Sequence, residues 1–284
     1  MKILVTGFKG QLGYDVVREG IKKGFNMIGI EREDLDLTIN KDVNLYVSKL
    51  KPDAIIHCAA YTAVDKSEVD REGCWNVNVE GTQFLATAAK DVKAKFIYIS
   101  TDYVYDGEGE KPFVETDIPN PKGYYGLTKF EGEKKVKELL EEYFIVRTSW
   151  VFGINGNNFI KTMLNLAESR AELNVVGDQI GSPTYTHDLA VLLIKMIQSE
   201  KYGLYHASNE GFCSWADLAS ETLQQAKKEV QVNSITTEEY PTQAVRPKNS
   251  RMSKQKLVDN GFNLLPTWQD AVKRYLEELH QEVK

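Results

Sequence analysis

Residues 2–13 constrain the fold more than any other stretch of the chain. Lys2-Ile3-Leu4-Val5-Thr6 reads as a short buried strand, Gly7, Gly10 and Gly13 follow three apart, and an amphipathic helix begins near Gln11. Glycines at that spacing let the backbone turn tightly and come close to a ligand. A helix N-terminus placed there offers free N–H groups and a partial positive charge, a ready site for phosphate. The order strand, glycine turn, helix therefore predicts a dinucleotide-binding start, with Gly7, Gly10, Gln11, Leu12 and Gly13 around the pyrophosphate. The spacing is G-x-x-G-x-x-G, one residue wider than the commonest fingerprint.

The pattern continues with a second strand at Phe25–Ile30 that ends in Glu31-Arg32. An acid about 20 residues after the glycines suits the ribose 2′-hydroxyl of NAD, whereas an arginine there suits the 2′-phosphate of NADP. Both are present, so NADPH and NADH stay open as cofactors. Asp36-Leu37 stands where it can approach the adenine, although Asp36 also reads as a turn residue. Further strands are expected at Ala54–His57, Lys95–Ser100, Phe144–Arg147 and Leu173–Val176, with helices between. This rhythm predicts an α/β fold: a doubly wound parallel sheet (Rossmann-like) with a smaller C-terminal α/β substrate lobe. The expected division is 1–150 for the dinucleotide-binding domain, with the sheet completed by about 171–206. A discontinuous substrate lobe would comprise 151–170 and 207–284. Asp106–Gly123 reads as a long loop, and Ser214 and Thr267 as helix caps.

Bulk composition removes several classes. The net charge of −6 argues against a general nucleic-acid or membrane-surface binder, and no apolar run is long enough for a membrane span. The apolar run Ile3–Val5 is too short for a signal-peptide core. Cys58, Cys74 and Cys213 are odd in number and lack C-x-x-C spacing, which suits free thiols in the cytoplasm. A monomer and a homodimer remain open.

Tyr125 and Lys129 are four residues apart in Tyr-Gly-Leu-Thr-Lys, and Ser100-Thr101 ends an earlier apolar strand. On a helix the two side chains share a face. An ammonium beside the phenol is expected to lower its pKa and make Tyr125 a proton donor or acceptor near neutral pH. Thr101 offers a hydroxyl to hold a substrate oxygen beside it. Asp102 either meets substrate or anchors a loop. His57 reads as a core or cofactor-side histidine, and His187 as the neighbour of a helix cap.

With these residues assembled, the chain resembles the extended short-chain dehydrogenase/reductase family along nearly its whole length. Within it the branch that reduces dTDP-linked 4-keto-6-deoxyhexoses is the most similar. The carrying segments are Thr6–Gly13, Cys58–Asp65, Ser100–Gly107, Tyr125–Lys129, Arg147–Trp150, Gly156–Phe159, Asp178–Thr184 and Arg246-Pro247. The resemblance implies Thr101, Tyr125 and Lys129 as the catalytic residues. It adds Cys58, Ala59, Ala60, Tyr61 and Ser100 to the cofactor site. It implies Thr62, Val64, Asp102, Tyr103, Trp150, Asn158, Gln179, Pro183 and Thr184 near the sugar nucleotide. Trp150 either stacks on the sugar or fills core. Arg246 is assigned to the diphosphate, because a guanidinium grips phosphate bidentately; its alternative is a surface ion pair. Dehydratases of this family carry glutamate where Tyr103 stands, and a plain ketone reduction needs no such base.

The implied reaction carries a hydride from NAD(P)H to the C4 ketone of dTDP-4-dehydro-6-deoxy-L-hexose, giving dTDP-L-rhamnose. The same resemblance raises Mg²⁺, for which Asp15 and Asp188 are the available carboxylates; no catalytic metal is expected. Two alternatives stay open. One is another nucleotide-sugar ketoreductase or epimerase. The other is a non-catalytic nucleotide-binding regulatory subunit of the methionine adenosyltransferase type, which should show a large exposed apolar patch.

Overall fold

β1 (Lys2–Thr6) is buried from Ile3 onward, and its side chains alternate between two apolar layers. The computed structural model of the chain describes residues 1–282. Ile3 and Val5 face a layer made by α1 (Gln11–Lys22) and the Thr186–Ile197 helix, through Val16, Leu189, Leu193 and Ile197. Leu4 faces the opposite layer, where the Asn40–Leu50, Thr82–Val92 and Tyr124–Leu139 helices contribute Val43, Val47, Leu85, Ala89 and Val136. Helices thus cover both faces of the sheet.

That sheet is wholly parallel. β1 lies between β2 (Asn26–Ile30) and β3 (Ala54–His57), followed by β4 (Lys95–Thr101), β5 (Tyr143–Thr148) and the Gly203–His206 strand. Strand order reverses between β1 and β3, and ligand crevices of open α/β sheets open beyond the carboxyl ends of the strands at such a point.

The strand expected at Leu173–Val176 forms as Glu172–Val176 but does not enter this sheet. It pairs with Gln231–Ile235 in a separate two-stranded sheet. The reason is its alternation: Leu173 and Val175 are buried while Glu172 and Asn174 are exposed. A strand covered by helices on both faces has to be apolar on both, as β3 is. The Gly203–His206 strand takes the sixth place instead.

The C-terminal part packs over the carboxyl end of the sheet. The Ser214 cap forms a full capping box with Asp217 at the start of the Trp215–Gln225 helix. The loop 106–123 is pinned from the same side: Asn249 N–H bonds Gly107 O, and Phe113 N–H bonds Arg251 O. Gly107 holds φ +73° against Pro247, where a Cβ would come within 2.4 Å. No helix among the described residues is long and apolar enough to cross a membrane.

Candidate active site

At the switch point the glycine turn meets the end of β3. Gly7 has φ +68°, and a Cβ there would lie 2.9 Å from the Ala59 backbone; a Cβ on Gly13 would sit 2.1 Å from Gly7 O. No other residue fits either position. The N-cap of α1 is Gly10, without a side-chain cap, so the first helical amides stay available. These residues form one end of a cleft of about 740 Å³. Cys58, Ala59, Ala60 and Tyr61 line it from β3, with Thr62 and Val64 beyond them, and Glu31, Arg32, Asp36 and Leu37 line it from the end of β2. Glu31 accepts a hydrogen bond from the Lys9 amide. Arg32 is exposed and pairs with Asp36 at 3.2 Å, while Asp36 also takes both the amide and the hydroxyl of Thr38.

Ser100, Thr101, Asp102, Tyr103, Tyr125 and Lys129 line the other end, with Trp150. The structure therefore brings the three residues expected to be catalytic together with the glycine turn. It corrects the expected tuning of the phenol. Burial, and then the Asp102 carboxylate, push the Tyr125 pKa up, and the nearby Thr101 hydroxyl only partly offsets them. The Lys129 ammonium instead lies 4.0 Å from the Tyr98 ring centroid. Burial pulls Lys129 itself down to about 7, opposed by the Glu133 carboxylate. Helix spacing put the two groups on one face, but desolvation is the largest influence on each. Tyr125 is accordingly a neutral phenol at neutral pH.

Several residues that hold the site were not foreseen. One π-helical turn, Asn76–Gly81, carries Asn78 under the cleft. Asn78 accepts the Tyr61 amide at 2.8 Å and donates to Thr128 at 3.0 Å, tying the loop after β3 to the Tyr124–Leu139 helix. Turns of this kind occur often at functional sites; the only signal in the sequence was an asparagine on an otherwise apolar helix face. His57 sits between Thr6 and Thr82 and is held neutral, lowered by burial to about 3. Thr6 in turn accepts the Ala59 amide. His57 is thus a structural core residue.

The remaining expected substrate residues divide. Trp150 lines the cleft in a left-handed backbone conformation, φ +49°, rare for a bulky side chain. It stacks on Trp215, with centroids 3.8 Å apart and planes 15° apart. Arg246 sits in a second, adjoining cleft with Asp178, Ile180 and Lys248. It reaches the Tyr103 hydroxyl at 3.1 Å and pairs with Asp65. Asn158, Gln179, Pro183 and Thr184 do not line the main cleft. Asn158 caps the Phe159–Leu166 helix and donates to Gly153 O. Gln179 donates to Thr237, Pro183 O takes the Asn209 amide, and Thr184 is wholly buried and bonded to Ser149 O. Gln179, Pro183 and Thr184 spend their polar groups on these bonds, whereas Asn158 also donates to Gln11 at the glycine turn, at 3.1 Å.

The two carboxylates considered for Mg²⁺ also lie outside the cleft. Both Asp188 oxygens accept from Arg274 at 2.7 Å and one from Asn209. Burial pushes Asp188 up, but these bonds outweigh it and hold it at about 2. Asp15 is bonded by Thr186 and faces Arg18 at 3.4 Å. Oxygens already committed to guanidinium groups do not suit a hard cation. Among the described residues no group of three His, Cys, Asp or Glu is placed to hold a metal.

A doubly wound parallel sheet, a glycine turn at its switch point and a Tyr-x-x-x-Lys helix beside it define a short-chain dehydrogenase/reductase. The chain belongs to the dTDP-4-dehydrorhamnose reductase family, described as RmlD substrate binding domain, which matches residues 1–281. It is 42% identical to a dTDP-4-dehydrorhamnose reductase of Aggregatibacter actinomycetemcomitans, over 96% of this chain and 97% of that protein. Among solved structures, a reductase of that name from Clostridium acetobutylicum is 43% identical, with a TM-score of 0.97, covering 99% of this chain and 100% of the solved one. Another, from Bacillus anthracis in complex with NADP, is 42% identical with a TM-score of 0.95, covering 98% and 100%.

Proposed function

We propose that this protein reduces the C4 ketone of dTDP-4-dehydro-6-deoxy-L-hexose with NADPH, giving dTDP-L-rhamnose. The observation that carries the reading is the single cleft shared by the uncapped glycine turn and the Thr101, Tyr125 and Lys129 side chains. The NADP complex of the Bacillus anthracis relative supports the choice of cofactor.

The residues present fit a dinucleotide. The Gly7 and Gly13 positions have no room for a Cβ, and the amides opening α1 would hold a pyrophosphate. When bound, the nicotinamide supplies the hydride for the ketone carbon. Tyr125, a neutral phenol, donates its proton to the C4 oxygen as negative charge grows there. Thr101 orients that oxygen from the end of β4. Lys129 would hold the nicotinamide ribose and, when protonated, would add positive charge to the cleft. Trp150, clamped by Trp215, forms the sugar wall. Arg246 holds the diphosphate from the adjoining cleft, so the sugar nucleotide spans the two. On this reading residues 1–150 with the Gly203–His206 strand bind the cofactor, and the later segments close over the substrate.

The test is NADPH oxidation with enzymatically made dTDP-4-keto-6-deoxyhexose. Stoichiometric oxidation with formation of a dTDP-deoxyhexose supports the reading. A folded, NADPH-binding protein with no turnover of this ketone, and turnover of another nucleotide sugar, would replace the substrate.

A further inference from the structure

Thr101 has one hydroxyl hydrogen, and beside an ionised Asp102 it is committed. Its Oγ1 donates to Asp102 Oδ1 at 3.0 Å and accepts the Tyr103 amide at 3.2 Å. A hydroxyl turned this way offers only a lone pair to the cleft. A ketone oxygen also offers only lone pairs, so the two oxygens repel. For Thr101 to bond the C4 oxygen, the direction of the Thr101–Asp102 bond has to reverse, and that requires Asp102 to be the donor.

Asp102 is built for that state. It is 4% exposed, lines the cleft, and leaves Oδ2 buried without a hydrogen-bond partner. Ser250 faces it from the C-terminal segment, and its own Oγ is also buried and unpartnered in geometry. Tyr125 faces Asp102 from the Tyr124–Leu139 helix and Tyr103 from its own turn, with Arg246 beyond the Tyr103 hydroxyl. Among the described residues no lysine or arginine forms an ion pair with it; what favours the carboxylate is the nearby Ser250 and Thr101 hydroxyls and the Asp102 and Tyr103 amides.

We propose that Asp102 acts during turnover as a neutral acid that sets the direction of the Thr101 hydroxyl, donating to Thr101 Oγ1 so that Thr101 turns its own hydrogen to the C4 oxygen. With Asp102 already protonated no proton changes owner: the one bond to Asp102 runs toward Thr101, the Tyr103 amide still donates to Thr101 Oγ1, and one new bond forms from Thr101 to the C4 oxygen. Asp102 is then a positioning residue. Its ionised form would both misdirect Thr101 and oppose the negative charge growing on the C4 oxygen. Burial agrees with the direction, holding the Asp102 carboxyl up at about 6 although the nearby Ser250 and Thr101 hydroxyls pull it down. A bound sugar, by excluding more water, raises it further. The inference rests on the reductase reading above.

The test is kcat against pH, from about 5 to 9, at saturating NADPH and dTDP-keto sugar. In the wild-type enzyme kcat falls at alkaline pH through Lys129, held at about 7, and through a second descent, approaching tenfold per pH unit, that belongs to Asp102. Asp102→Asn, whose amide donates at every pH, loses that descent. Thr101→Val is slower by about 10- to 100-fold and also loses it, because the hydroxyl being directed is gone, whereas Thr101→Ser keeps it. Superimposable profiles for wild type and Asp102→Asn overturn the proposal. A second readout needs no turnover. A carboxyl raised on folding gives stability that falls as pH rises from about 4 to 6. Asp102→Asn should therefore melt several degrees above wild type beyond about pH 6 and together with it below about pH 4. If the wild type does not turn over the dTDP-keto sugar, the reductase reading fails, and the melting curves alone decide whether Asp102 is held neutral; equal melting at every pH then overturns it.

Discussion

Arg147 grips Glu133 through two nitrogens, Nε at 2.8 Å and Nη2 at 2.6 Å, and both side chains are withdrawn from solvent. Glu133 stands one helical turn after Lys129 and also accepts the Ser100 hydroxyl at 2.6 Å. Arg147 Nη1 donates to the Tyr105 hydroxyl at 2.6 Å, which meets His206 at 2.7 Å. The helix that carries Tyr125 and Lys129 is thereby bonded to β4 and β5.

Removing one member of that pair leaves a buried charge alone. Arg147→Met is expected to lower unfolding free energy by about 3–5 kcal/mol in urea denaturation, and the double variant with Glu133→Leu by less. A loss under about 1 kcal/mol for Arg147→Met would mean that water or Lys137 already satisfies Glu133.

Tyr125→Phe keeps the ring and removes the proton donor. Turnover at saturating substrate should fall by about 10²- to 10⁴-fold while NADPH binding, measured by fluorescence titration, stays as in the wild type. Near-normal turnover would remove Tyr125 from the mechanism.

Glu31 and Arg32 line the cleft on opposite sides of a charge question. Glu31→Ser should shift the NADPH/NADH ratio of kcat/KM toward NADPH, since a carboxylate repels a 2′-phosphate, and Arg32→Ala should shift it toward NADH. An unchanged ratio in both variants would place the adenosine ribose elsewhere.

Arg246→Ala tests the second cleft. The diphosphate does not react, so KM for the sugar nucleotide should rise by about tenfold or more with a smaller fall in kcat, and NADPH affinity should not change. The variant also frees the Tyr103 hydroxyl from its 3.1 Å bond. Tyr103→Phe alone separates the two effects, and equal KM changes in both would assign the loss to Tyr103.

The parts legible in the sequence were those fixed by local chemistry. Gly7 and Gly13 announce themselves because no other side chain fits where they stand, and the apolar strands β1 and β3 to β5 because they are covered on both faces. What escaped depends on distant partners. Glu172–Val176 pairs with a strand some sixty residues away, and only its alternating burial hinted that it would leave the central sheet. Asn158 and Thr184 sit in motif-like segments, yet Thr184 bonds Ser149 and Asn158 reaches the cleft only through Gln11, besides bonding Gly153. The Tyr125 pKa ran against its helix spacing because burial, which a spacing rule cannot see, dominates it. The pairing of Arg147 with Glu133 was not legible, although Arg147 opens a carrying segment, since Glu133 alone reads as a surface charge.

The most direct measurement of the central claim follows the hydride itself. The enzyme is given NADPH deuterated at the transferred position of C4 of its nicotinamide, together with dTDP-4-keto-6-deoxyhexose, and the purified sugar nucleotide is examined by NMR. The expected result is one deuterium on C4 of the deoxyhexose and a rhamnose configuration. Deuterium at another carbon, or a C4 hydrogen derived only from solvent, would contradict direct reduction of that ketone in the cleft between Thr101 and Tyr125.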